Sequence, residues 1–359
     1  MTLYRLGSEG DRPLSTVAPD SPPIVQALRY GITAPSAHNT QPWRIEVVSD
    51  TEARVYFDPA RLLPVTDPPG RQVHISHGTL VEMTSIAATH LGYRTDVDVL
   101  PEGGMTLAEY GTKPTAHLRL VADSQVGEDP LFAQILHRRS SRLPHTPQPL
   151  TDAERAAISA AATRPGVQPG WIGAQRMADA IECAVQGMTV EADDHGTFEE
   201  TNQWFRFTDA EIAAKGDGLN LDTAGMTGLP LAAARWTTRP SNWHSRINRS
   251  GYLRTFAKTV RDTRALLTLT TPANTMADWI TTGRAYVRAQ LTAAGHDLRF
   301  HPLSQTLQEF PQMDRLRARM DALADVTPPG KLQMLVRVGH TRTPALSPRR
   351  DLRGILQPQ

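Results

Sequence analysis

The most informative stretch of the chain reads Ala34-Pro35-Ser36-Ala37-His38-Asn39-Thr40-Gln41-Pro42-Trp43. Its two prolines have a fixed φ and stiffen the turn. Ser36 and Asn39 can hydrogen-bond either to nearby backbone or to a ligand. A rigid loop of this kind can hold the edge of a planar heterocycle. The alternative is a structural turn that only carries Trp43 into the core.

Regular elements are predicted on both sides of this loop. Periodicity and β-branched content indicate a short helix before it, then two strands, a long helix and two further strands. These predicted elements cover 24–31, 44–48, 53–57, 78–91, 96–100 and 117–121.

The same kind of pattern begins again near residue 130. Thr151-Asp152-Ala153-Glu154 has the form of a capping box, in which the Thr hydroxyl and the Glu carboxylate satisfy free N–H groups at the start of a helix. The predicted helices here are 131–137, 151–162, 176–191 and 283–294, and the predicted strands are 266–269, 299–300 and 333–338. Residues 196–262 have no counterpart in the first unit and are predicted to be an insertion.

An internal repeat links the two halves. The segment from Gly78 aligns without gaps with the segment from Gly283, and Pro165…Trp171 weakly echoes Pro35…Trp43. Two unrelated amphipathic helices could also look alike, so chance similarity stays open. The predicted organisation is an N-terminal arm at 1–23, a first repeat at 24–125, and a second repeat at 130–359 that carries the insertion. The predicted fold class is α+β.

Two basic segments suit a phosphate group. In an extended chain Arg138, Ser140 and Arg142 would point the same way, and arginine grips phosphate through charge-assisted, bidentate bonds. Ser347-Pro348-Arg349-Arg350 could complete such a pocket. The alternative for both segments is a solvated basic surface.

Bulk composition excludes several classes of protein. The 359 residues carry a net charge of +1, which does not suggest binding to nucleic acid or to a membrane surface. The single cysteine excludes an intramolecular disulfide and a CxxC motif. We find neither a signal-peptide pattern nor an apolar run of about 18 residues, and we expect a cytoplasmic protein.

Rival chemistries lack their motifs. His74 and His77 could share a helix face, but the Glu of H-E-x-x-H and a third ligand are missing, so no metal is predicted. No G-x-S-x-G occurs for a serine hydrolase, and Cys183 lies in an apolar helix. Gly216-x-Gly218 is not followed by the third glycine of a dinucleotide-binding loop.

Together, APSAHNTQPW and Arg138-x-Ser140-x-Arg142 resemble the P-S-x-x-N-x-Q-P-W and R-x-S-x-[RK] motifs of the nitroreductase superfamily. The resemblance covers about residues 24–355 and points to the Acg-type FMN-binding oxidoreductases. It implies a nitroreductase-like fold, duplicated in one chain as a pseudo-dimer, with mostly antiparallel sheets and central long helices. Family members bind FMN between two subunits, and each subunit supplies one of the two motifs. Because each motif occurs once here, in opposite halves, the resemblance implies a single FMN site between the repeats, in a monomer or a homodimer.

The resemblance also implies roles for individual residues. The phosphate and ribityl chain would contact Arg138 and Ser140, and the C-terminal arginines would also bind the phosphate. Arg142 would lie near the N1/O2 side of the flavin. Ala37 stands where serine is frequent, and a glycine common near Leu303 is absent. The full set of expected FMN contacts is Pro35, Ser36, Ala37, Asn39, Arg138, Ser140, Arg142, Leu303, Ser304, Gln305, Arg349 and Arg350.

The implied activity is transfer of a hydride from NAD(P)H, through flavin N5, to a small acceptor such as a nitroaromatic or a quinone. No protein nucleophile or general base is expected. The insertion contains Trp204-Phe205-Arg206-Phe207 and resembles the lid of Acg-type proteins. A closed lid would favour the alternative, a catalytically quiet flavin-binding, storage or stress protein. The same aromatic residues could also simply pack the insertion onto the body.

Overall fold

The computed structural model describes residues 12–357. The first eleven residues of the predicted N-terminal arm and the last two residues of the predicted second repeat lie outside this range. The α-helices are α1 (Pro23–Gly31), α2 (Arg71–His90), α3 (Asp152–Ala162), α4 (Ala174–Asp193), α5 (His195–Gln203), α6 (Asp209–Lys215), α7 (Gly228–Thr237), α8 (Arg246–Arg261), α9 (Met276–Gly295) and α10 (Asp314–Leu323). The strands are β1 (Trp43–Ser49), β2 (Glu52–Phe57), β3 (Tyr93–Val99), β4 (Ala116–Ala122), β5 (Gln168–Trp171), β6 (Phe205–Arg206), β7 (Leu219–Asn220), β8 (Ala265–Thr271), β9 (Leu298–Pro302) and β10 (Lys331–His340).

Two four-stranded antiparallel sheets share one topology. The first sheet has the order β1-β2-β4-β3 and the second has the order β5-β8-β10-β9. In both sheets the fourth strand in sequence therefore lies between the second and the third. A long helix, α2 or α9, connects the second strand to the third in each case. The predicted α+β class, with antiparallel sheets around central long helices, is confirmed.

The two long helices cross at a pair of glycines. A Cβ atom added to Gly78 would lie 2.0 Å from the carbonyl oxygen of Ile280, and one added to Gly283 would lie 1.9 Å from that of Ile75. The contact is reciprocal, because each carbonyl belongs to the residue three places before the opposite glycine. Only glycine allows the two backbones to approach this closely. The repeated glycine found in the sequence is thus the crossing point of the helices.

The predicted start of both long helices was wrong. The sequence suggested Gly78 and Gly283, whereas α2 begins at Arg71 and α9 begins at Met276. Thr275 caps α9 by accepting a hydrogen bond from the backbone N–H of Asp278, and the Asp278 side chain accepts one from Thr275 in return. The first two turns of α2 are polar but buried, so they lack the apolar stripe on which the prediction relied.

Two shorter segments also differ from prediction. Residues 131–137 contain only the short 3₁₀ turn Phe132–Gln134 in place of an α-helix. The segment that echoes the proline loop is the edge strand β5, in which Gln168 pairs with Thr270. The capping box at Thr151 is present at the start of α3, as predicted.

The segment between β5 and β8 has no equivalent between β1 and β2, which are joined by a tight turn. It contains α4 to α8 and the small parallel sheet of β6 and β7. Phe198, Phe205 and Trp243 pack together within it, and the Trp243 indole donates a 3.0 Å hydrogen bond to the Phe198 carbonyl. The boundaries of the repeats and of the insertion at 196–262 stay predictions.

The end of the chain returns to the first sheet. Ile45 donates to the carbonyl of Ile355 and accepts from the N–H of Gln357, so this segment extends the sheet beside β1. Leu352 and Ile355 are buried in the core of the first half. Across residues 12–357 no helix is both long and apolar enough to cross a membrane.

Candidate functional site

A cavity of about 430 Å³ lies where the two halves and the segment between β5 and β8 meet. Its size falls in the range of roughly 300–1,000 Å³ that is typical of cofactor pockets. Eight of the twelve predicted site residues line its wall: Pro35, Ser36, Ala37, Ser140, Arg142, Leu303, Ser304 and Gln305. The other four, Asn39, Arg138, Arg349 and Arg350, do not. The structure thus brings the proline loop of the first half and the basic stretch of the second half to one cavity.

The proline loop is strained and firmly held. His38, Asn39 and Gln41 have φ values of 46°, 55° and 51°, in the left-handed region that non-glycine residues rarely adopt. Such strain costs on the order of 1–3 kcal/mol per residue and is concentrated at functional sites. The Ser36 hydroxyl accepts from the backbone N–H of Gln41, and the Ala37 N–H donates to Ser76 of α2. The loop therefore presents a fixed edge to the cavity.

The basic stretch of the second half lies along the edge of the second sheet. Ser141 donates its N–H to the carbonyl of Phe300 in β9, which keeps the chain extended at this point. Ser140 and Arg142 line the cavity, whereas Arg138, which was predicted to point the same way, does not and instead donates to Gln290 and to the carbonyl of Thr33. Gln290 of α9 donates to the Ser140 hydroxyl at 3.1 Å and accepts from Arg138 at 3.2 Å.

Three guanidinium groups cluster in the interior beside this wall. Arg138 and Arg349 both donate to the carbonyl oxygen of Thr33. Burial lowers the pKa of Arg138 to about 10, and burial followed by the charges of Arg138 and Arg139 lowers the pKa of Arg12 to about 9. Burial, with Arg12 and Arg138 nearby, also lowers the pKa of Arg349.

The cluster of Arg12, Arg138 and Arg349 has no acidic partner among the described residues. Within residues 12–357 no carboxylate forms an ion pair with any of the three. The buried Nε atoms of Arg12 and Arg138 have no hydrogen-bond partner in this part of the chain either. Buried charges normally occur in pairs. A concentration of positive charge of this kind is suited to an anion.

Asn39 and Arg350, which were predicted to bind the ligand, do not line the cavity and form hydrogen bonds within the protein. The Asn39 amide donates to the carbonyls of Gly218 and Pro348 and accepts from Arg349 at 2.8 Å. Arg350 donates to the carbonyl of Gln41 and, through its backbone, to the Gln41 side chain. These contacts fasten the C-terminal segment to the proline loop and thereby position Arg349.

The cavity also contains groups that the sequence motifs did not identify. Tyr286 comes from α9, Tyr252 from α8, Glu191 from α4 and His38 from the proline loop. Burial and the charge of Arg142 lower the pKa of His38 to about 4, so its imidazole is neutral at pH 7. Only His38 was within reach of sequence reasoning, because it lies inside the quoted loop. The others come from segments that have no motif.

The rival sites turn out to be structural. His74 and His77 are buried in α2, where the first contacts the carbonyl of Gly70 and the second contacts Thr115 and the carbonyl of Pro42. Burial lowers both pKa values, to about 4 and about 3. No group of three metal-ligating side chains is found in the described chain. Cys183 is buried, and burial raises the pKa of its thiol to about 11.

Known proteins resemble this chain at the level of sequence. Residues 13–116 match the model of the Nitroreductase family. A Mycobacterium tuberculosis protein provisionally named NAD(P)H nitroreductase Rv3131 is 27% identical over 357 residues, which is 97% of this chain and 95% of that protein. The provisionally named NAD(P)H nitroreductase acg of M. tuberculosis is 29% identical over 146 residues, or 39% of this chain and 41% of that protein.

Solved structures overlap with part of the chain. The FMN-dependent nitroreductase NfnB from Mycobacterium smegmatis, in complex with NADPH, has a TM-score of 0.42 and 16% identity, and covers 63% of this chain and 96% of its own. NfnB from a Sphigopyxis strain has the same TM-score at 18% identity, and covers 64% of this chain and 98% of its own. By sequence, residues 13–116 resemble the Nitroreductase family, and the chain resembles the mycobacterial relative Rv3131 over nearly its whole length.

Proposed function

We propose that the protein is an FMN-dependent NAD(P)H oxidoreductase of the nitroreductase type, with a single FMN site between its two halves. The supporting observation is the cavity that both halves line, with the cluster of Arg12, Arg138 and Arg349 beside it. The names of the relatives, NAD(P)H nitroreductases, agree with this assignment. Because one chain supplies both walls, the site needs no second subunit.

The residues fit the polar end of FMN. A phosphate monoester carries close to two negative charges at pH 7, and three buried guanidiniums that form no ion pair with a carboxylate of residues 12–357 are suited to neutralise it. The buried Nε–H of Arg138 is a hydrogen-bond donor that has no acceptor within residues 12–357. We infer that Arg138, Arg349 and the Ser140 hydroxyl would bind the phosphate and the ribityl chain.

The remaining wall fits a flat ring. Pro35, Ser36 and Ala37 would contact one edge of the isoalloxazine, and Leu303, Ser304 and Gln305 would follow the other. Arg142 enters the cavity while its guanidinium also donates to the carbonyl of Thr223 at 3.2 Å. A fixed positive charge at this point favours the anionic form of a reduced flavin.

FMN, when bound, would supply the redox chemistry, namely hydride transfer from a reduced nicotinamide and two-electron reduction of an organic acceptor. The chain itself holds and orients the ring, places positive charge beside it and restricts the access of water. A nitroaromatic or a quinone is the class of acceptor that we propose.

The direct test is to reconstitute the purified protein with FMN and to measure retained flavin by its visible absorption. Arg349→Met removes one charge from the cluster, and Ser140→Asp adds a negative charge beside Arg138. Both variants should lose FMN, and we expect at least tenfold weaker binding because a hydrogen bond to a charged group contributes about 1.5–3 kcal/mol.

Arg353→Met is the matched control for Arg349→Met, because Arg353 is exposed on the same C-terminal segment. It should keep the affinity of the wild-type protein for FMN. Wild-type affinity in both Arg349→Met and Ser140→Asp would show that the site lies elsewhere. A wild-type protein that cannot be reconstituted with FMN would refute the proposal as a whole.

A flavin-storage role is the second candidate, because residues between β5 and β8 cover part of the cavity. Phe198, Phe205 and Leu221 from this segment line its wall. Anaerobic addition of NADPH separates the two functions. Bleaching of the flavin followed by recovery of its colour with a quinone is expected for the oxidoreductase, whereas flavin that stays oxidised indicates storage.

A further inference from the structure

An acidic side chain is buried in the wall of the cavity. Glu191, near the end of α4, is 2% exposed and is one of the residues that line the space. Its Oε2 atom accepts a 2.6 Å hydrogen bond from the Gln308 amide. No cation of residues 12–357 forms an ion pair with it. A buried carboxyl group without a cation requires an explanation, since charged groups are rarely buried unpaired.

Local packing keeps Glu191 close to the predicted flavin edge. Gly187 lies one helical turn earlier on α4, and a Cβ atom at this position would meet the Thr306 methyl at 2.7 Å and its backbone N at 3.2 Å. The glycine thus lets α4 touch the segment that follows Leu303. Residues four apart lie on the same face of a helix. Glu191 therefore faces this segment too, which its bond to Gln308 confirms.

Burial and the charge of Glu200 of α5 favour the protonated form of Glu191. Gln308 donates to Glu191 and favours its ionised form, Tyr252 of α8 lies close, and Arg317 of α10 donates to the carbonyl of Gln308 and to Asp314. Burial, opposed by Gln308 and reinforced by Glu200, raises the pKa of Glu191 to about 7.

Glu200 of α5 is hydrogen-bonded to the segment that precedes α2. Its side-chain oxygens accept hydrogen bonds from the backbone N–H groups of Val65 and Thr66 and from the Thr66 hydroxyl, at 3.0, 2.9 and 2.6 Å.

We propose that Glu191 donates a proton to the acceptor when the acceptor is reduced in the cavity. The inference rests on the proposed oxidoreductase function and adds a residue to it. Reduction of a quinone to a hydroquinone needs two electrons and two protons. NAD(P)H provides the electrons and one proton as a hydride, by way of the flavin. The Glu191 O–H bond breaks as an O–H bond forms on the quinone oxygen, and the carboxylate then regains a proton from water.

The test compares two acceptors in Glu191→Gln, reconstituted with FMN. Benzoquinone takes up protons when it is reduced, whereas ferricyanide takes one electron and no proton. Reoxidation of the reduced flavin by benzoquinone should slow about 100-fold, in the range of general acid catalysis. Reoxidation by ferricyanide and reduction by NADPH should keep their wild-type rates. The pH dependence of the benzoquinone rate, with a midpoint near 7 in the wild-type protein, should disappear.

Glu182→Gln is the matched control, because Glu182 lies on the same helix but is about half exposed and contacts Arg261 at 3.4 Å. It should leave both rates unchanged. An independent readout is the infrared band of a protonated carboxylic acid in the flavin-free protein. This band should lose intensity as the pH rises through about 7, and Glu191→Gln should lack the part that comes from Glu191. Burial raises the pKa of Asp67 to about 7 as well, so a band from Asp67 is expected in both proteins.

The outcomes separate this inference from the proposed function. A wild-type benzoquinone rate in Glu191→Gln, with flavin bound and reduced normally, would refute the role of Glu191 and leave the oxidoreductase intact. An equal loss of both acceptor rates would assign Glu191 a structural role and also overturn the inference. A wild-type protein that binds no FMN would overturn both.

Discussion

Gly78→Ala should destabilise the protein by forcing α2 and α9 apart. The new Cβ atom would lie 2.0 Å from the Ile280 carbonyl oxygen and 2.9 Å from the Gly283 Cα, whereas ordinary contact begins at 3.4 Å. Both are backbone atoms, so a change of side-chain rotamer cannot relieve the clash. Overpacking of this kind costs about 1–3 kcal/mol, and replacing glycine by alanine inside a helix returns up to about 1 kcal/mol. We expect a net loss of about 2 kcal/mol in the free energy of unfolding.

Thermal and urea unfolding measure this loss. For domains of 150–250 residues each kcal/mol lowers Tm by roughly 2–4 °C, so we expect a fall of about 4–8 °C. Gly251→Ala is the control, because Gly251 is inside α8 and no heavy atom lies within 4 Å of its added Cβ. It should raise stability slightly. A Gly78→Ala protein as stable as Gly251→Ala would refute the close crossing of the two helices.

Two further predictions concern charge and capping. Burial raises the pKa of Glu82, but Arg284 and Arg164 outweigh burial and lower it below 4.5. Its stabilising contribution is therefore complete above about pH 4.5 and is lost as the pH falls through the lower value of the folded state. Glu82→Gln should lower the free energy of unfolding by about 3–5 kcal/mol at pH 7. In urea unfolding at acidic pH, the stability of this variant should depend less on pH than that of the wild-type protein. Thr151→Ala removes the cap of α3 and should cost about 1 kcal/mol in the same assay; an unchanged midpoint would refute that role.

Local patterns in the sequence were enough to predict seven of the eight strands of the two large sheets and the helices α1, α2, α3, α4 and α9, but not α5 to α8, α10 or the starts of the two central helices. The first turns of α2 contain Arg71, His74 and His77, all nearly fully buried. Arg71 donates to the carbonyls of Leu307 and Gln333 in the second half. The sequence pattern makes these polar side chains look solvent-exposed. The partners of Arg71 are more than 200 residues away, and His77 contacts Thr115 and Pro42, which lie outside the helix. A helix that is buried on all sides has no amphipathic stripe to detect.

Some residues of the candidate site could also be predicted from the sequence, and others could not. The proline loop and Arg138-x-Ser140-x-Arg142 could be predicted because each is a compact motif, and the structure brings Ser36, Ser140 and Arg142 to one cavity. Glu191 and Tyr252 could not be predicted. They come from helices between β5 and β8 that have no motif, and only the packing of α4 and α8 makes them neighbours. The sequence also could not show that the Asn39 amide would donate its hydrogen bonds to backbone carbonyls within the protein.

We propose that the two halves of one chain form a single FMN site. Titration of flavin-free protein with FMN, followed by flavin fluorescence and checked by analytical ultracentrifugation, measures the number of sites per chain. We expect saturation at one FMN per chain, and at least tenfold weaker binding in Arg349→Met. Saturation at two per chain, at one per two chains, or no saturable binding would contradict this proposal.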